Sequence, residues 1–196
     1  MRMRARFARD PQAYAGMRIG LFGGSFDPAH SGHRHAARVA QHALGLDRVW
    51  WLVTPQNPLK AQSRPLAFRM ASARACARGA RHLATDIESR LGARFTVDTV
   101  AALQRRYPGV RFVLIVGDDV LESFHRWRRW RDILRAVPLA IVARRRQAAG
   151  ALKAPALAQF ARARRDGRLT AAPAWRYLRA RLDPAHSTAL RAADGG

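Results

Sequence analysis

The sequence predicts an α/β fold, a Rossmann-like doubly wound parallel sheet, and three observations carry that prediction. Buried-strand runs alternate with segments of helical spacing, the first run ends in two glycines ahead of a helix, and the most apolar run leads straight into Gly117-Asp118-Asp119. Right-handed crossovers are the default between parallel strands joined in this way, and ligands bind beyond the carboxyl ends of the strands. A chain of 196 residues is long enough for one domain with a full core. The expected division is a polar, arginine-rich flexible leader over 1–16 and a single domain over 17–196.

The elements follow in order. A short apolar run at 18–22 ends in Gly23-Gly24, and small and apolar residues recur at helical spacing over 31–44, which reads as strand, glycine turn and helix. A second buried strand is expected at 49–53. Residues 54–65 carry three prolines, so they form a loop whose length suggests a function. A helix is expected over 66–80. Another spans 95–107, with Val97, Val100, Ala101 and Leu103 inward, Thr96 near its start as a cap, and Pro108-Gly109 as its stop. The run at 110–116 is continuously apolar after Arg111 and reads as a strand buried on both faces. A short helix at 131–136 precedes Pro138, and 139–143 gives a fourth strand. The Ala/Arg-rich stretch 147–167 reads as a loop followed by a surface helix, and the chain has no internal repeat.

Composition narrows the function. The formal charge is +23, which taken alone points to nucleic acid, since clustered cations release counterions from phosphates. Of the 36 basic residues, however, only Lys60 and Lys153 are lysines, and arginine accompanies alanine in every segment. Charge spread in this way reflects a compositional bias rather than a binding stripe. The best local basic patches are Arg128, Arg129 and Arg131, and the arginine run at 144–146. No apolar stretch is long enough to cross a bilayer and no signal-like block opens the chain, so a soluble, cytoplasmic protein without a membrane partner is expected. The lone Cys76 supports no disulfide, zinc site or catalytic thiol.

The chemically informative stretch is GGSFDPAHSGH at 23–33. Gly23 and Gly24 let backbone approach a ligand, and amides at the following turn and helix N-terminus can face anionic oxygens. His30 and His33, three residues apart at a helix start, can address one phosphate chain together, and Gly32 keeps the approach open. The pattern lacks the Gly-Lys-Ser/Thr of a Walker loop and the G-x-G-x-x-G of a dinucleotide fingerprint, which removes kinase and dehydrogenase readings.

In these residues the sequence resembles the nucleotidyltransferase superfamily with its G-x-F-D-P-x-H-x-G-H signature, and within it the bacterial nicotinate-nucleotide adenylyltransferases. The resemblance spans 17–191. Thr96, Asp98 and Thr99 in FTVDTV match the family's Y-T-x-D-T segment, 117–121 matches G-x-D-x-L, Trp127 matches a following tryptophan, and HSTALR at 186–191 resembles S-S-T-x-x-R. The family loop P-P-H-K is here Asn57-Pro58-Leu59-Lys60, His186 replaces a serine, and Asp118 stands where a small or neutral residue is usual. The chain also ends five residues after Arg191, without the family's final helix.

The resemblance implies adenylyl transfer from ATP to nicotinate mononucleotide, giving deamido-NAD and pyrophosphate, with magnesium arriving on ATP and no protein-held metal. It assigns His30, His33 and Arg191 to phosphate charge as the catalytic set. Gly23, Gly24, Ser25, Phe26, Gly117, Asp119, Ser187 and Thr188 would bind ATP, with Asp119 on the ribose. Lys60, Thr96 and Trp127 would hold the acceptor nucleotide, Trp127 as a platform for the pyridine ring. No specific nucleic acid is implied, and a homo-oligomer is compatible with the sequence. Two rival readings are phosphopantetheine adenylyltransferase, which typically has threonine in place of His30, and a non-catalytic basic nucleic-acid-binding protein.

Overall fold

The computed structural model describes residues 10–55, 63–143 and 152–179. Six strands form one sheet: β1 (Arg18–Gly24), β2 (Arg48–Val53), β3 (His82–Thr85), β4 (Arg111–Gly117), β5 (Leu139–Val142) and β6 (Trp175–Leu178). Their order is β3-β2-β1-β4-β5-β6 and every pairing is parallel. This is the doubly wound arrangement expected from the sequence. Strand order reverses direction between β1 and β4, so the crevice between their carboxyl ends is the place where such a sheet receives a ligand.

Helices cover both faces. On one lie α1 (Ser31–Leu44) and α2 (Leu66–Cys76); on the other lie α3 (Ile87–Arg90), α4 (Thr96–Arg106), α5 (Leu121–Phe124), α6 (Trp130–Ala136) and α7 (Pro155–Gln159). β2 shows how one strand supplies both layers, because successive side chains point to opposite faces. Trp50 packs with Tyr107 and Phe112, with ring centroids 5.2 and 5.8 Å away, whereas Trp51 packs with Phe22 and Phe26 at 5.4 and 5.3 Å. Both indoles are fully buried. α1 presents Gly32, Ala36, Ala37 and Ala40 to the sheet, small residues that let the helix approach closely, and it ends at Gly45 with φ 60°, whose N–H donates to the carbonyls of Gln41 and His42.

Several boundaries differ from expectation. α2 stops at Cys76 rather than near 80, and the chain then forms β3 and α3, which the sequence did not announce. β5 is therefore the fifth strand, and β6 adds a sixth at the sheet edge. Thr96 is the first residue inside α4, with Phe95 in the capping position in extended conformation. α7 is not a purely surface helix, since Ala156 and Leu157 are buried. Within the expected leader, residues 10–16 lie against the domain. The Asp10 carboxylate pairs with Arg90 and Arg106, Tyr107 Oη donates to the Pro11 carbonyl at 2.9 Å, an Arg48 N–H donates to the Gln12 carbonyl at 2.8 Å, and the Gly16 amide donates to the Gly109 carbonyl at 2.9 Å.

One core contact is pH-sensitive. Trp51 Nε1–H donates to His82 Nδ1 at 3.2 Å, and His82 Nε2 lies 3.0 Å from Gln41 Oε1, so a neutral ring protonated on Nε2 satisfies both partners. Burial holds the imidazole below its ordinary pKa, and the nearby Arg34, Arg38 and His42 push in the same direction. Because the unfolded chain takes up this proton more readily, the contribution is present above about pH 6.5 and is lost as pH falls further. In urea titrations the stability advantage of the unmodified protein over His82→Gln should therefore shrink between about pH 7 and pH 5; a constant difference would show that His82 does not titrate.

Candidate active site

β1 delivers the glycine turn to the crevice. Gly23 is exposed, and a side chain there would meet nothing within 4 Å, so the space beside it is open to a ligand. Gly24 serves another purpose. A Cβ at this position would sit 3.0 Å from the tip of the Phe26 ring, which occupies that space. Phe26 itself has φ 49°, a left-handed conformation rare for a bulky residue, and its ring is 1% exposed. The turn thus folds back on an aromatic cluster: Phe26 meets Phe22 edge-on at 5.6 Å and His33 edge-on at 5.1 Å. The Asp27–Pro28 peptide is cis.

His30 caps α1 and His33 occupies its third position. Both are buried, with ring centroids 3.9 Å apart. The His30 backbone N–H donates to His33 Nδ1 at 3.3 Å, so a neutral His33 carries its proton on Nε2. The His33 amide already turns back to the His30 carbonyl at 3.0 Å. Two imidazoles therefore converge at a helix N-terminus, where the partial positive charge of the helix favours an anion.

The support for this turn comes from α2. Arg69 is 2% exposed, and its guanidinium donates to four main-chain carbonyls: Arg64 at 2.8 Å, Ser25 at 3.0 Å, Thr54 at 2.6 Å and Pro55 at 2.7 Å. Burial lowers its pKa while Asp27 acts in the opposite direction. Asp27 in turn accepts from Arg64 Nε at 2.7 Å and from the Arg64 amide at 3.2 Å. One turn of α2 further on, Ser72 Oγ accepts from the Ala29 amide at 2.8 Å, just before His30. The Thr54 amide donates to the Gly24 carbonyl at 3.1 Å, so the proline-rich loop begins beside the glycine turn. Sequence reasoning did not single out Arg69 or Ser72. The available signal was an arginine between Phe68 and Met70 on the buried side of a helix, hidden by the abundance of arginine elsewhere.

β4 forms the opposite wall. Its register places Phe22 beside Ile115, so Gly24 and Gly117 end adjacent strands, and the turn Asp118–Val120 follows. Asp119 is partly exposed there, whereas Asp118 is buried and accepts a hydrogen bond from Tyr177 Oη at 3.1 Å. Burial together with the Asp118 carboxylate pushes the Tyr177 phenol up to about 12.

The third group of expected residues lies on the α4 side. Trp127 is half-buried, its ring 5.0 Å from Phe124, and Trp130 is core, as its neighbours Phe124 and Phe160 require. The Arg128 guanidinium lies 4.7 Å over the Phe95 ring, which brings the Trp127 turn against the start of α4, where half-buried Thr96 sits. Thr99 is buried and donates to Glu88 Oε1 at 2.9 Å. Burial raises the Glu88 pKa above the usual carboxylate range, opposed by the Thr99 and Thr54 hydroxyls. Thr99 and Glu88 thus anchor α4 beneath Thr96. Cys76 is half-buried and its thiol pKa is raised by burial, which does not suit a nucleophile.

Lys60, Ser187, Thr188 and Arg191, with Leu59, His186 and the arginines at 144–146, lie outside the described residues. Among the described residues, no group of three or more His, Cys, Asp or Glu could hold a metal, and no helix is long and apolar enough to cross a membrane.

The sequence profile of the cytidylyltransferase-like family matches residues 21–193, both walls of this crevice included. Relatives named probable nicotinate-nucleotide adenylyltransferase extend across nearly the whole chain. That of Caulobacter sp. (strain K31) is 52% identical over 89% of this chain and 97% of its own length, and that of Roseobacter denitrificans is 49% identical over 94% and 96%. The chain belongs to the nicotinate-nucleotide adenylyltransferases of the cytidylyltransferase-like family. The fold agrees with that membership. The Plasmodium falciparum nicotinic acid mononucleotide adenylyltransferase solved with NaAD has a TM-score of 0.68 at 14% identity, over 90% of this chain and 83% of that one.

If Arg69 holds the turn, Arg69→Met, which strands the carbonyls it binds, should lower the unfolding free energy by roughly 3–5 kcal/mol, with Arg69→Lys intermediate, as read from urea unfolding. A loss below about 1 kcal/mol for the methionine variant would show that water replaces the guanidinium without cost.

Proposed function

We propose that the protein transfers the adenylyl group of ATP, taken as its magnesium complex, to the phosphate of nicotinate mononucleotide. The products are nicotinate adenine dinucleotide, or deamido-NAD, and pyrophosphate, a step of NAD biosynthesis that we place in the cytoplasm. The observation that carries this reading is the His30–His33 pair, converging at the N-terminus of α1 beside the open Gly23, at the point where the sheet reverses order.

The chemistry needs little more than alignment and charge. A phosphate monoester has a second pKa of about 6, so the acceptor is already largely ionised and needs no base. One of its oxygens attacks the α-phosphorus in line, the bond from that phosphorus to the bridging oxygen breaks, and pyrophosphate carries the charge away. His30 and His33 donate to the α- and leaving phosphates, and the backbone at Gly23, Gly24, Ser25 and Phe26 encloses them. Asp119 accepts from the adenosine ribose hydroxyls beside Gly117. Trp127 supports the pyridine ring, with Thr96 and Lys60 around the acceptor. Ser187 and Thr188 hold the distal phosphates, and Arg191 neutralises them.

Purified protein should convert ATP, magnesium and nicotinate mononucleotide to the dinucleotide with matching pyrophosphate release. It should leave phosphopantetheine unmodified; adenylation of that acceptor alone would overturn the substrate assignment. His33→Ala should lose about 10²–10³-fold in kcat while keeping the circular dichroism of a folded protein. Full turnover in that variant would remove the histidine from the reaction.

A further inference from the structure

β6 pairs with β5 alone among the described strands, and its carboxyl end at Leu178 is where the chain sets out toward Ser187, Thr188 and Arg191. Across β5, β4 ends in Gly117 and the turn that presents Asp119. A side-chain contact joins these two ends: Tyr177 Oη donates to Asp118 Oδ2 over 3.1 Å, spanning the intervening strand. Asp118 is 2% exposed and stands where the family resemblance leads one to expect a small or neutral residue. A carboxylate withdrawn from water needs donors, and a phenol donating to a carboxylate makes a charge-assisted hydrogen bond. The contact lies one residue from Asp119 and one residue from the end of β6.

We propose that Asp118 and Tyr177 are positioning residues for ATP: their hydrogen bond fixes the turn after β4 against the carboxyl end of β6, so that Asp119 is held in one geometry toward the nucleotide. The inference rests on the ATP reading above and adds to it a tie through side chains that need not touch the substrate.

The test is steady-state kinetics with each substrate titrated separately, alongside calorimetric titration of ATP, for Tyr177→Phe, Asp118→Asn, Asp118→Ala and the double variant Tyr177→Phe/Asp118→Ala. Tyr177→Phe keeps the ring and removes only the donor. It should raise KM and Kd for ATP by about three- to tenfold, less than the full worth of a charge-assisted hydrogen bond because this bond does not touch the substrate, and leave KM for nicotinate mononucleotide unchanged. Asp118→Asn, which keeps an acceptor, should lie closer to the unmodified protein than Asp118→Ala. The double variant should be no weaker for ATP than the worse single variant, because the same bond is removed only once. An unchanged ATP affinity in Tyr177→Phe, parallel changes in both KM values, or additive losses in the double variant would overturn the pair. Failure of the unmodified protein to make the dinucleotide would instead overturn the underlying reading, and the calorimetric Kd for ATP reads the pair without turnover.

Discussion

The site depends on a buried cation that contacts no substrate in the proposed reaction. The Arg69 guanidinium gathers main-chain carbonyls from the glycine turn, from the start of the proline-rich loop and from that loop's return, and Asp27 supplies a nearby negative charge. Five N–H groups in a planar fork can serve several carbonyls at once, which the three donors of an ammonium at the end of a flexible stem cannot reproduce. Leaving those carbonyls unsatisfied in the interior would cost more than the net gain from making the bonds. The glycine turn and the two described ends of the proline-rich loop are thereby tied together beneath the crevice.

The rest of the fold serves the same end. A parallel sheet brings every strand's carboxyl terminus to one edge, so the motif after β1, the turn after β4 and the exit from β6 share that edge although they are far apart in sequence. The helices divide the support. α2 holds the turn before His30 through Arg69 and Ser72, while on the other face Glu88 and Thr99 seat the start of α4 and Arg128 reaches across to Phe95. The aromatic residues of β2, one on each face, link both supports to the core.

What could be read from the sequence follows the range of the interactions involved. β1, α1, β2 and β4 were legible because long apolar runs and a glycine turn are local signals, and the boundaries of α1 fell where spacing alone put them. β3 and β6 were not: His82–Thr85 and Trp175–Leu178 are four residues each, mixed in polarity, and become strands only by pairing with a neighbour already in place. The contacts of residues 10–16 were not legible for a similar reason, since Asp10 gains its partners from α3 and α4, some eighty and ninety-six residues on. At the site, His30 and His33 were visible in a short motif. Arg69, Glu88 and Tyr177 act through contacts that no spacing rule encodes, in a chain where arginine is too common to stand out.

The packing around Gly24 reverses an intuition about glycine-rich nucleotide turns. The space that a methyl group would claim at this position belongs to Phe26, and Phe26 is hemmed in by Phe22, Trp51 and His33. A substitution there would press from behind, passing through an aromatic ring to an imidazole, while the ligand side of the backbone stayed clear. Damage at position 24 would thus resemble the loss of a histidine more than the blocking of a pocket.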